Sequence, residues 1–508
     1  MTQQIHPPVR ADDGRLDREL VVPALVIVLG AIMTVLDLTI VNVAIPTLGS
    51  DFATSVSTIQ WVLTGYMLAF ASVIPLTGWA SERFGAKRVW LAALLVFIAG
   101  SLLAGAAWSI GSLIGFRIVQ GLGAGMIVPV GQTILAQAAG PQRMGRMMSV
   151  VGVPMLLAPV FGPVLGGAIV DQASWRWIFY LNLPIGIAGL VTAQRLLPDA
   201  TPRPGQRLDL RGLALLSPGI VVFLYGISQV GNQGNFGSAT TIAAVAVGLA
   251  LIGLFVCHAL ARPTHALIDV SLFGRRGFAS AAALNFLLIG ALFGSLILLP
   301  LYYQLVRDES PLDVGLLLVP QGVGAALAMP VAGWLTDRIG ARFVVSTGIG
   351  IAVLGVLAYT QIGASTSYAY LAAALLVLGL GIGSTVAPSM AALYQTLSRE
   401  ETPRATSALN VIQRTGGAIG TAVFAIVLQR TIAGSLPGLH GGIQRLALLA
   451  PDRRAEVAPA LAGAFGTTFW IAAGLIAATL LPALLLPRRR DEHADVPSSK
   501  ADADAVAL

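Results

Sequence analysis

Two charged side chains, Asp37 and Arg117, stand inside long apolar runs of this sequence. An ionisable group within a membrane costs about 2.5–3.5 kcal/mol on insertion scales and usually serves an ion or substrate path. Burial and nearby cations decide whether such a carboxylate holds a proton. We therefore expect Asp37 to carry a proton, and Arg117, which cannot lose its own, to be the fixed charge that promotes proton release. Arg414 also lies inside an apolar run, and whether it takes part in coupling stays open.

Both Asp37 and Arg117 also have a structural interpretation. A buried Asp37 could be satisfied by Thr39, by Asn42 or by a neighbouring helix. Arg117 could bond backbone carbonyls and hold helices together. The sequence leaves these alternatives open.

The composition explains why charged groups inside apolar runs stand out. Of 508 residues, 56% are hydrophobic and 11% are charged, whereas a soluble domain carries about 25% charged residues. So few charges cannot cover a water-facing surface, which predicts an all-α polytopic membrane protein. The single cysteine excludes an internal disulfide and a cysteine-based metal site. We expect no metal and no cofactor, only a proton gradient.

Fourteen apolar runs are long enough to cross a membrane as helices. They lie at 20–46, 58–78, 89–108, 111–136, 148–170, 177–197, 210–230, 239–261, 278–303, 313–335, 343–361, 367–391, 406–430 and 465–487. Most of the 31 lysine and arginine residues fall on the side that holds both termini. By the positive-inside rule that side is cytoplasmic, and we expect a multi-pass protein of the plasma (inner) membrane.

A short segment of the sequence occurs twice. Residues 78–88 join runs two and three, and the similar residues 333–342 join runs ten and eleven. Two six-helix units related by a parallel repeat, with two additional helices between them, place both copies in equivalent loops. The predicted organisation is a cytoplasmic N-terminal tail at 1–19, an N-terminal six-helix bundle at 20–200, two inserted transmembrane helices at 201–265, a C-terminal six-helix bundle at 266–487 with an irregular outer loop at 431–463, and a cytoplasmic C-terminal tail at 488–508.

The repeated segment resembles the cytoplasmic loop signature of the major facilitator superfamily. The resemblance implies that four charged residues latch the outward-open state by contacting helix ends and neighbouring helices. These residues are Glu82, Arg83, Asp337 and Arg338. The first copy departs from the family at Ala80, where the family usually has Leu, and at Glu82, where it usually has Asp, so the reach of this latch changes. The alternative is that all four are ordinary interfacial charges.

Further segments are similar to those of the fourteen-helix drug:proton antiporter family. They lie at 36–46, 152–167 and 174–184, and the segment at 117–125 resembles the fourth-helix motif of the superfamily. The segment in run five resembles a motif associated with antiporters, carried by Gly162, Pro163, Gly166 and Gly167. Its glycines permit close helix contact and its prolines bend the helix. The resemblance implies a major facilitator fold, with two six-helix bundles in pseudo-twofold symmetry plus two additional central helices.

Neutral polar and aromatic side chains on the runs expected to line the cavity are the candidates for substrate binding. They are Gln60, Trp61, Tyr66, Asn285, Phe286, Phe293, Tyr302, Tyr303, Gln304 and Gln321. Aromatic faces suit organic cations and planar hydrophobic drugs. Trp61, Tyr302 and Tyr303 lie near run ends, where an aromatic belt explains them equally well.

The sequence therefore predicts a proton-coupled antiporter of the multidrug efflux type, a secondary active transporter and not an enzyme. It exports drugs or other hydrophobic or cationic small molecules from the cytoplasm by alternating access. We expect its partners to be the substrate, protons and membrane lipids, without nucleic acid, and we expect it to function as a monomer. A major facilitator symporter or uniporter for a nutrient or lipid is the alternative, and a membrane-embedded glycosyltransferase-like enzyme is a more distant one.

Overall fold

The computed structural model describes residues 18–487 apart from 141–142, 200–201, 204, 234–237, 263–265 and 437–450. In this part of the chain every regular element is helical. The helices are α1 (Arg18–Asp51), α2 (Val56–Ile59), α3 (Trp61–Val73), α4 (Leu76–Phe84), α5 (Ala86–Gly105), α6 (Ile110–Ala139), α7 (Met144–Gln172), α8 (Arg176–Tyr180), α9 (Asn182–Leu196), α10 (Leu210–Gln233), α11 (Ala239–Ala261), α12 (Arg276–Leu305), α13 (Pro311–Leu317), α14 (Val319–Ile339), α15 (Ala341–Tyr359), α16 (Tyr368–Gln395), α17 (Thr402–Ser435), α18 (Pro451–Ala478) and α19 (Leu480–Leu484), with a 3₁₀ helix at Val270–Gly274 before α12.

The helices agree with a protein that crosses the membrane many times. The described residues contain twelve candidate spans, and α3 with α4, bent by 55°, is a thirteenth. The bend lies at Pro75, which lacks the N–H that a continuous helix needs. In addition, α7 has 29 residues and occupies the place of the predicted fifth span. A count of fourteen is compatible with these helices and stays a prediction.

The two faces of the membrane are named here from α1. The side on which α1 begins, predicted above to be cytoplasmic, is called the inner side, and the opposite side is called the outer side. The predicted N-terminal tail at 1–19 is two residues too long, because Arg18 and Glu19 already belong to α1. Residues 1–17 and the predicted C-terminal tail at 488–508 lie outside the described residues.

Small residues allow close helix packing in the N-terminal bundle. Helix α6 packs along α5 and α3, and a Cβ at Gly100 of α5 would lie only 2.6 Å from the backbone nitrogen of Gln120. The fully buried indole of Trp90 on α5 donates a hydrogen bond of 3.1 Å to the carbonyl of Ile127 on α6. These contacts bring the helix backbones together and fix the position of α6, which carries Arg117.

The helices of the C-terminal bundle also pack closely at glycines. Helices α14 and α15 pack on α16, and α12 packs on α17. A Cβ at Gly355 of α15 would lie 2.5 Å from the backbone nitrogen of Leu378 on α16, and one at Gly416 of α17 would lie 2.6 Å from the carbonyl oxygen of Phe286 on α12. The pair α15 and α16 therefore corresponds to α5 and α6, as expected for a repeat.

The two inserted helices lie beside the bundles. Helix α10 packs on α11 and also contacts α3 of the N-terminal bundle and α17 of the C-terminal bundle. The hydroxyl of Ser217 on α10 donates to the carbonyl of Ser72 at 2.6 Å. Only 17% of the apolar span of α11 is buried, so most of this helix faces the surroundings of the protein. In a membrane those surroundings are lipid.

The predicted irregular outer loop is wrong at both of its ends. Helix α17 continues to Ser435 and α18 begins at Pro451, so the last predicted span starts earlier than its apolar run. The segment 451–463 is rich in alanine and other strong helix formers, and these outweigh Pro459. The middle of the predicted loop, 437–450, lies outside the described residues.

Candidate functional site

A buried ion pair joins α1 to α6. Nη1 of Arg117 lies 2.6 Å from Oδ2 of Asp37, and both side chains are fully buried. A buried pair of this kind costs little only while both partners remain charged and hydrogen-bonded. The two residues that the sequence singled out are therefore in direct contact.

Two amides complete the surroundings of the carboxylate. Oδ1 of Asp37 accepts hydrogen bonds of 2.9 Å from Nε2 of Gln120 and from Nδ2 of Asn182. Oε1 of Gln120 accepts from Nη1 of Arg117 at 2.8 Å, and Asn182 also reaches the hydroxyl of Ser101 at 3.0 Å. The carboxylate on α1 is thus bound directly by groups from α6 and α9 and is linked through Asn182 to Ser101 on α5, so a change in its charge acts on four helices.

The sequence contains a signal for both of these partners. Gln120 follows Arg117 by three residues, a spacing that places both side chains on one face of a helix. Asn182 is the first residue of α9 and lies within the recognised segment 174–184. The polar side chains nearest to Asp37 on its own helix do not bind it. Thr39 donates to the carbonyl of Leu36 instead.

An aromatic ring covers the guanidinium of Arg117. The guanidinium carbon Cζ of Arg117 lies 4.0 Å from the ring centre of Tyr66 on α3, which is a cation–π contact. Nε of Arg117 donates to the carbonyl of Val62 at 3.3 Å, so Arg117 also bonds a backbone carbonyl, as its structural interpretation predicts. Among the described residues, Nη2 of Arg117 and the hydroxyl of Tyr66 are buried without a hydrogen-bond partner.

The ion pair lies in the outer half of the membrane. Arg117 is seven residues from Ile110, where α6 begins on the outer side. At 1.5 Å per residue this is about 10 Å from the outer end of the helix. Within the described part of the chain, no group of three or more His, Cys, Asp or Glu residues could hold a metal ion.

The glycines of the run-five motif bring α7 against the helix that carries Asp37. A Cβ at Gly162 would lie 2.5 Å from Cβ of Thr39, and one at Gly166 would lie 3.1 Å from the carbonyl oxygen of Ile40. Gly167 has open space, so it is not part of this contact. Pro163 lies in α7, and its side chain is outside the described residues. The motif thus keeps α7 and α1 in close contact within one helical turn of Asp37.

Two ion pairs join the bundles on the inner side. Glu82 at the end of α4 accepts from Nε and Nη2 of Arg404 on α17, at 3.1 and 3.0 Å. Asp337 at the end of α14 accepts from Nε of Arg146 at 2.9 Å and from the backbone N–H groups of Gly145 and Arg146 at the start of α7. Each carboxylate thus binds an arginine of the other bundle. Asp337 also compensates the positive end of the α7 dipole at its N-terminus.

The basic residues predicted for the latch take no part in these bridges. Among the described residues, Arg83 bridges no carboxylate and lines a cavity of about 680 Å³ on the inner side, while Arg338 lies 4.1 Å above the ring of Trp334. The bases that do bridge, Arg146 and Arg404, are not among the predicted latch residues. Each stands at the inner start of the fifth helix unit in its repeat, a shared position that could have identified them.

The substrate candidates fall into different environments. Trp61 is 43% exposed at the outer end of α3, where its ring stacks on Tyr225 of α10 at 6.2 Å. Tyr302 and Tyr303 are fully buried in the C-terminal bundle, and their hydroxyls contact the carbonyl of Gly363 and the hydroxyl of Tyr359. In this conformation neither of these two tyrosines is available to a substrate.

The remaining candidates are Gln60, Phe286, Phe293, Gln304 and Gln321, which are partly or well exposed. Asn285 is buried, and its oxygen accepts from Nε2 of Gln413 at 3.3 Å. The next residue on α17 is Arg414, whose guanidinium lies 4.0 Å from the ring centre of Phe70 on α3. Phe70 belongs to the N-terminal bundle, so Arg414 lies where the two bundles meet.

Known proteins resemble this chain over most of its length. A sequence model described as Major Facilitator Superfamily matches residues 27–421. The chain is 40% identical to the multidrug resistance protein B homolog of Mycobacterium tuberculosis, across 96% of this chain and 94% of the relative. It is 32% identical to the multidrug export protein EmrB of Haemophilus influenzae, across 80% and 79%. The solved structure of the proton:xylose symporter XylE covers 92% of this chain and 97% of its own, with a TM-score of 0.59 and 13% identity, which indicates a shared fold.

Proposed function

The chain belongs to the Major Facilitator Superfamily and is a membrane transporter, and on this premise we propose that it exports drugs or other hydrophobic small molecules in exchange for protons. The names of its relatives support drug export. The observation that supports proton exchange is the fully buried pair of Asp37 and Arg117. We also propose that both termini are cytoplasmic and that the protein works in the plasma membrane.

Proton binding to Asp37 changes the energy of the whole outer half of the N-terminal bundle. The neutral acid no longer balances the charge of Arg117, whose pairing atoms lie 2.6 Å away. An uncompensated buried charge costs about 3–5 kcal/mol, which shifts a two-state equilibrium by about a hundredfold or more. A single proton is therefore sufficient to change which conformation is favoured.

The two inner ion pairs support alternating access. With Glu82 bound to Arg404 and Asp337 bound to Arg146, the bundles are joined on the inner side. We propose that this is the outward-facing state, in which substrate leaves and Asp37 takes a proton. When the inner pairs separate, the proton leaves and substrate enters. We also propose that the protein functions as a monomer, driven by the proton gradient and without a cofactor.

Reconstituted protein tests this proposal. Liposomes with an imposed pH gradient should accumulate an organic dye through the wild type, and Asp37→Asn should abolish the gradient-driven part. Asp51→Asn is the matched control, because Asp51 lies at the outer end of the same helix and its hydrogen bond from the Trp175 indole suits an amide oxygen equally well. Full gradient-driven uptake by Asp37→Asn would show that another group carries the proton.

A further inference from the structure

Among the described residues, the interior of the membrane-spanning region carries one more positive charge than negative charge. Asp37 and Arg117 neutralise each other, whereas Arg414, the thirteenth residue of the 34-residue helix α17, has no such partner. Within the described part of the chain, no carboxylate lies within ion-pair distance of Arg414. A lone cation at this depth is costly, and such residues serve a ligand or an ion path.

A continuous row of side chains links Arg414 to the ion pair. Its guanidinium lies 4.0 Å from the ring centre of Phe70, which is 6.3 Å from that of Tyr66, and the Tyr66 ring in turn lies 4.0 Å from Arg117. The row runs from α17 of one bundle to α3 and α6 of the other. Arg414 is only partly buried, as expected for a group at the contact between bundles that rock against each other.

The same row contains more hydrogen-bond donors than acceptors. The hydroxyl of Tyr66 and Nη2 of Arg117 are buried without a partner among the described residues, and a guanidinium has five N–H groups and no acceptor. Buried polar groups are nearly always hydrogen-bonded, so each exception needs an explanation. An anionic group supplies an acceptor for the hydroxyl of Tyr66 and a negative charge for Arg414.

We propose that Arg414 and the hydroxyl of Tyr66 bind a carboxylate or similar anionic group of the transported molecule. Both rings are buried in this conformation, so the site becomes accessible only when the bundles separate, and the rings of Phe70 and Tyr66 then contact an aromatic body attached to that group. The inference rests on the proposed function, since it assigns a substrate class to the same transporter. It makes planar aromatic acids and zwitterions better substrates than the simple cations that the aromatic residues alone suggest.

Two dyes that differ in one charge test this inference. We would measure binding of a rhodamine with a free carboxylate, and of the methyl ester of the same dye, to purified full-length protein in detergent by fluorescence anisotropy. No pH gradient is present, so this experiment is independent of transport. The variants are Arg414→Gln, Arg414→Lys and Tyr66→Phe, and the control is Arg430→Gln, an exposed arginine on the same helix.

The wild type should bind the acid more tightly than the ester. Arg414→Gln should weaken binding of the acid by about ten- to hundredfold, the range of a hydrogen bond to a charged group, and should leave the ester unchanged. Tyr66→Phe should weaken binding of the acid only, and by a smaller factor than Arg414→Gln does. Arg414→Lys should keep part of the preference for the acid over the ester, and Arg430→Gln should bind both dyes as the wild type does.

Two results would overturn the inference. One is a wild type that does not prefer the acid, and the other is an equal effect of Arg414→Gln on both dyes. If Arg414→Gln does not fold, Tyr66→Phe and Arg414→Lys decide by the same comparison. A preference for the acid without any pH-driven uptake in liposomes would contradict the proposed antiport and leave this binding site intact.

Discussion

Neutralising Asp337 should open the inner side of the protein. In Asp337→Asn the side chain keeps its size, and its one amide oxygen can still accept from the backbone N–H of Gly145 at the start of α7, but it loses the charge-assisted bond of 2.9 Å from Nε of Arg146. Both side chains are at most 9% exposed, so solvent screens the pair little. A hydrogen bond to a charged group contributes about 1.5–3 kcal/mol. A loss of about 2 kcal/mol raises the population with an open inner side about thirtyfold.

Cysteine labelling measures this opening. Ser149 on α7 is buried between the bundles, and its hydroxyl donates to the carbonyl of Met329 on α14 at 2.8 Å. Ser149→Cys should react with a maleimide only when the bundles separate. The natural Cys257 is exposed and must first be replaced by alanine. When opening is fast relative to labelling, the rate follows the open population, so Asp337→Asn should label about thirtyfold faster.

The control for this labelling is Asp313→Asn. Asp313 lies in the first turn of α13 on the outer side, where it contacts Ser310, and its neutralisation should leave the labelling rate unchanged. Equal rates in Asp337→Asn and in the parent would refute the assignment of this carboxylate to a latch. An equal increase in both aspartate variants would show general loosening and not release of the inner side.

Two further predictions concern packing and pH. Gly162→Ala should lower the melting temperature in detergent, because the added methyl group overpacks α7 against α1 at a cost of about 1–3 kcal/mol. Gly167 has open space around it, so Gly167→Ala should not lower the melting temperature. Equal melting temperatures of the two variants would refute the contact. Burial raises the pKa of Glu401, but hydrogen bonds led by that from Arg275 outweigh this and hold the pKa below its usual value. The pair therefore stabilises the protein above the usual Glu pKa, and this contribution, at most about 1 kcal/mol for so exposed a pair, is lost as the pH falls through the lowered pKa. In Glu401→Gln the melting temperature should therefore fall less steeply with decreasing pH than it does in the wild type. Identical profiles of melting temperature against pH would show that the pair does not stabilise the protein in this way.

Membrane helices and buried charges could be predicted from the sequence because both depend on composition along one segment. The apolar runs predict the described spans, and Asp37 and Arg117 stand out because charge is rare inside such runs. The repeated loop likewise predicts Glu82 and Asp337 at equivalent ends of α4 and α14. None of these inferences needs knowledge of which helices touch.

Partners on distant helices could not be predicted in the same way. Glu82 binds Arg404, which is 322 residues away, and Asn182 reaches Asp37 across 145 residues. Such pairs depend on how helices pack, which local periodicity does not contain. The same limit explains why Tyr303 is a candidate for substrate binding in the sequence but is buried in the structure. An aromatic residue on a span can face either a cavity or the core of its own bundle, and Tyr303 faces the core.

Proton movement coupled to substrate movement tests the central claim most directly. Liposomes loaded with an aromatic substrate and a pH-sensitive dye, without an initial pH gradient, should take up protons through the wild type as the substrate leaves. Asp37→Asn should release the substrate without proton uptake, and Asp51→Asn should behave as the wild type does. Protons that leave together with the substrate would contradict antiport, and undiminished proton uptake in Asp37→Asn would contradict the role of this carboxylate.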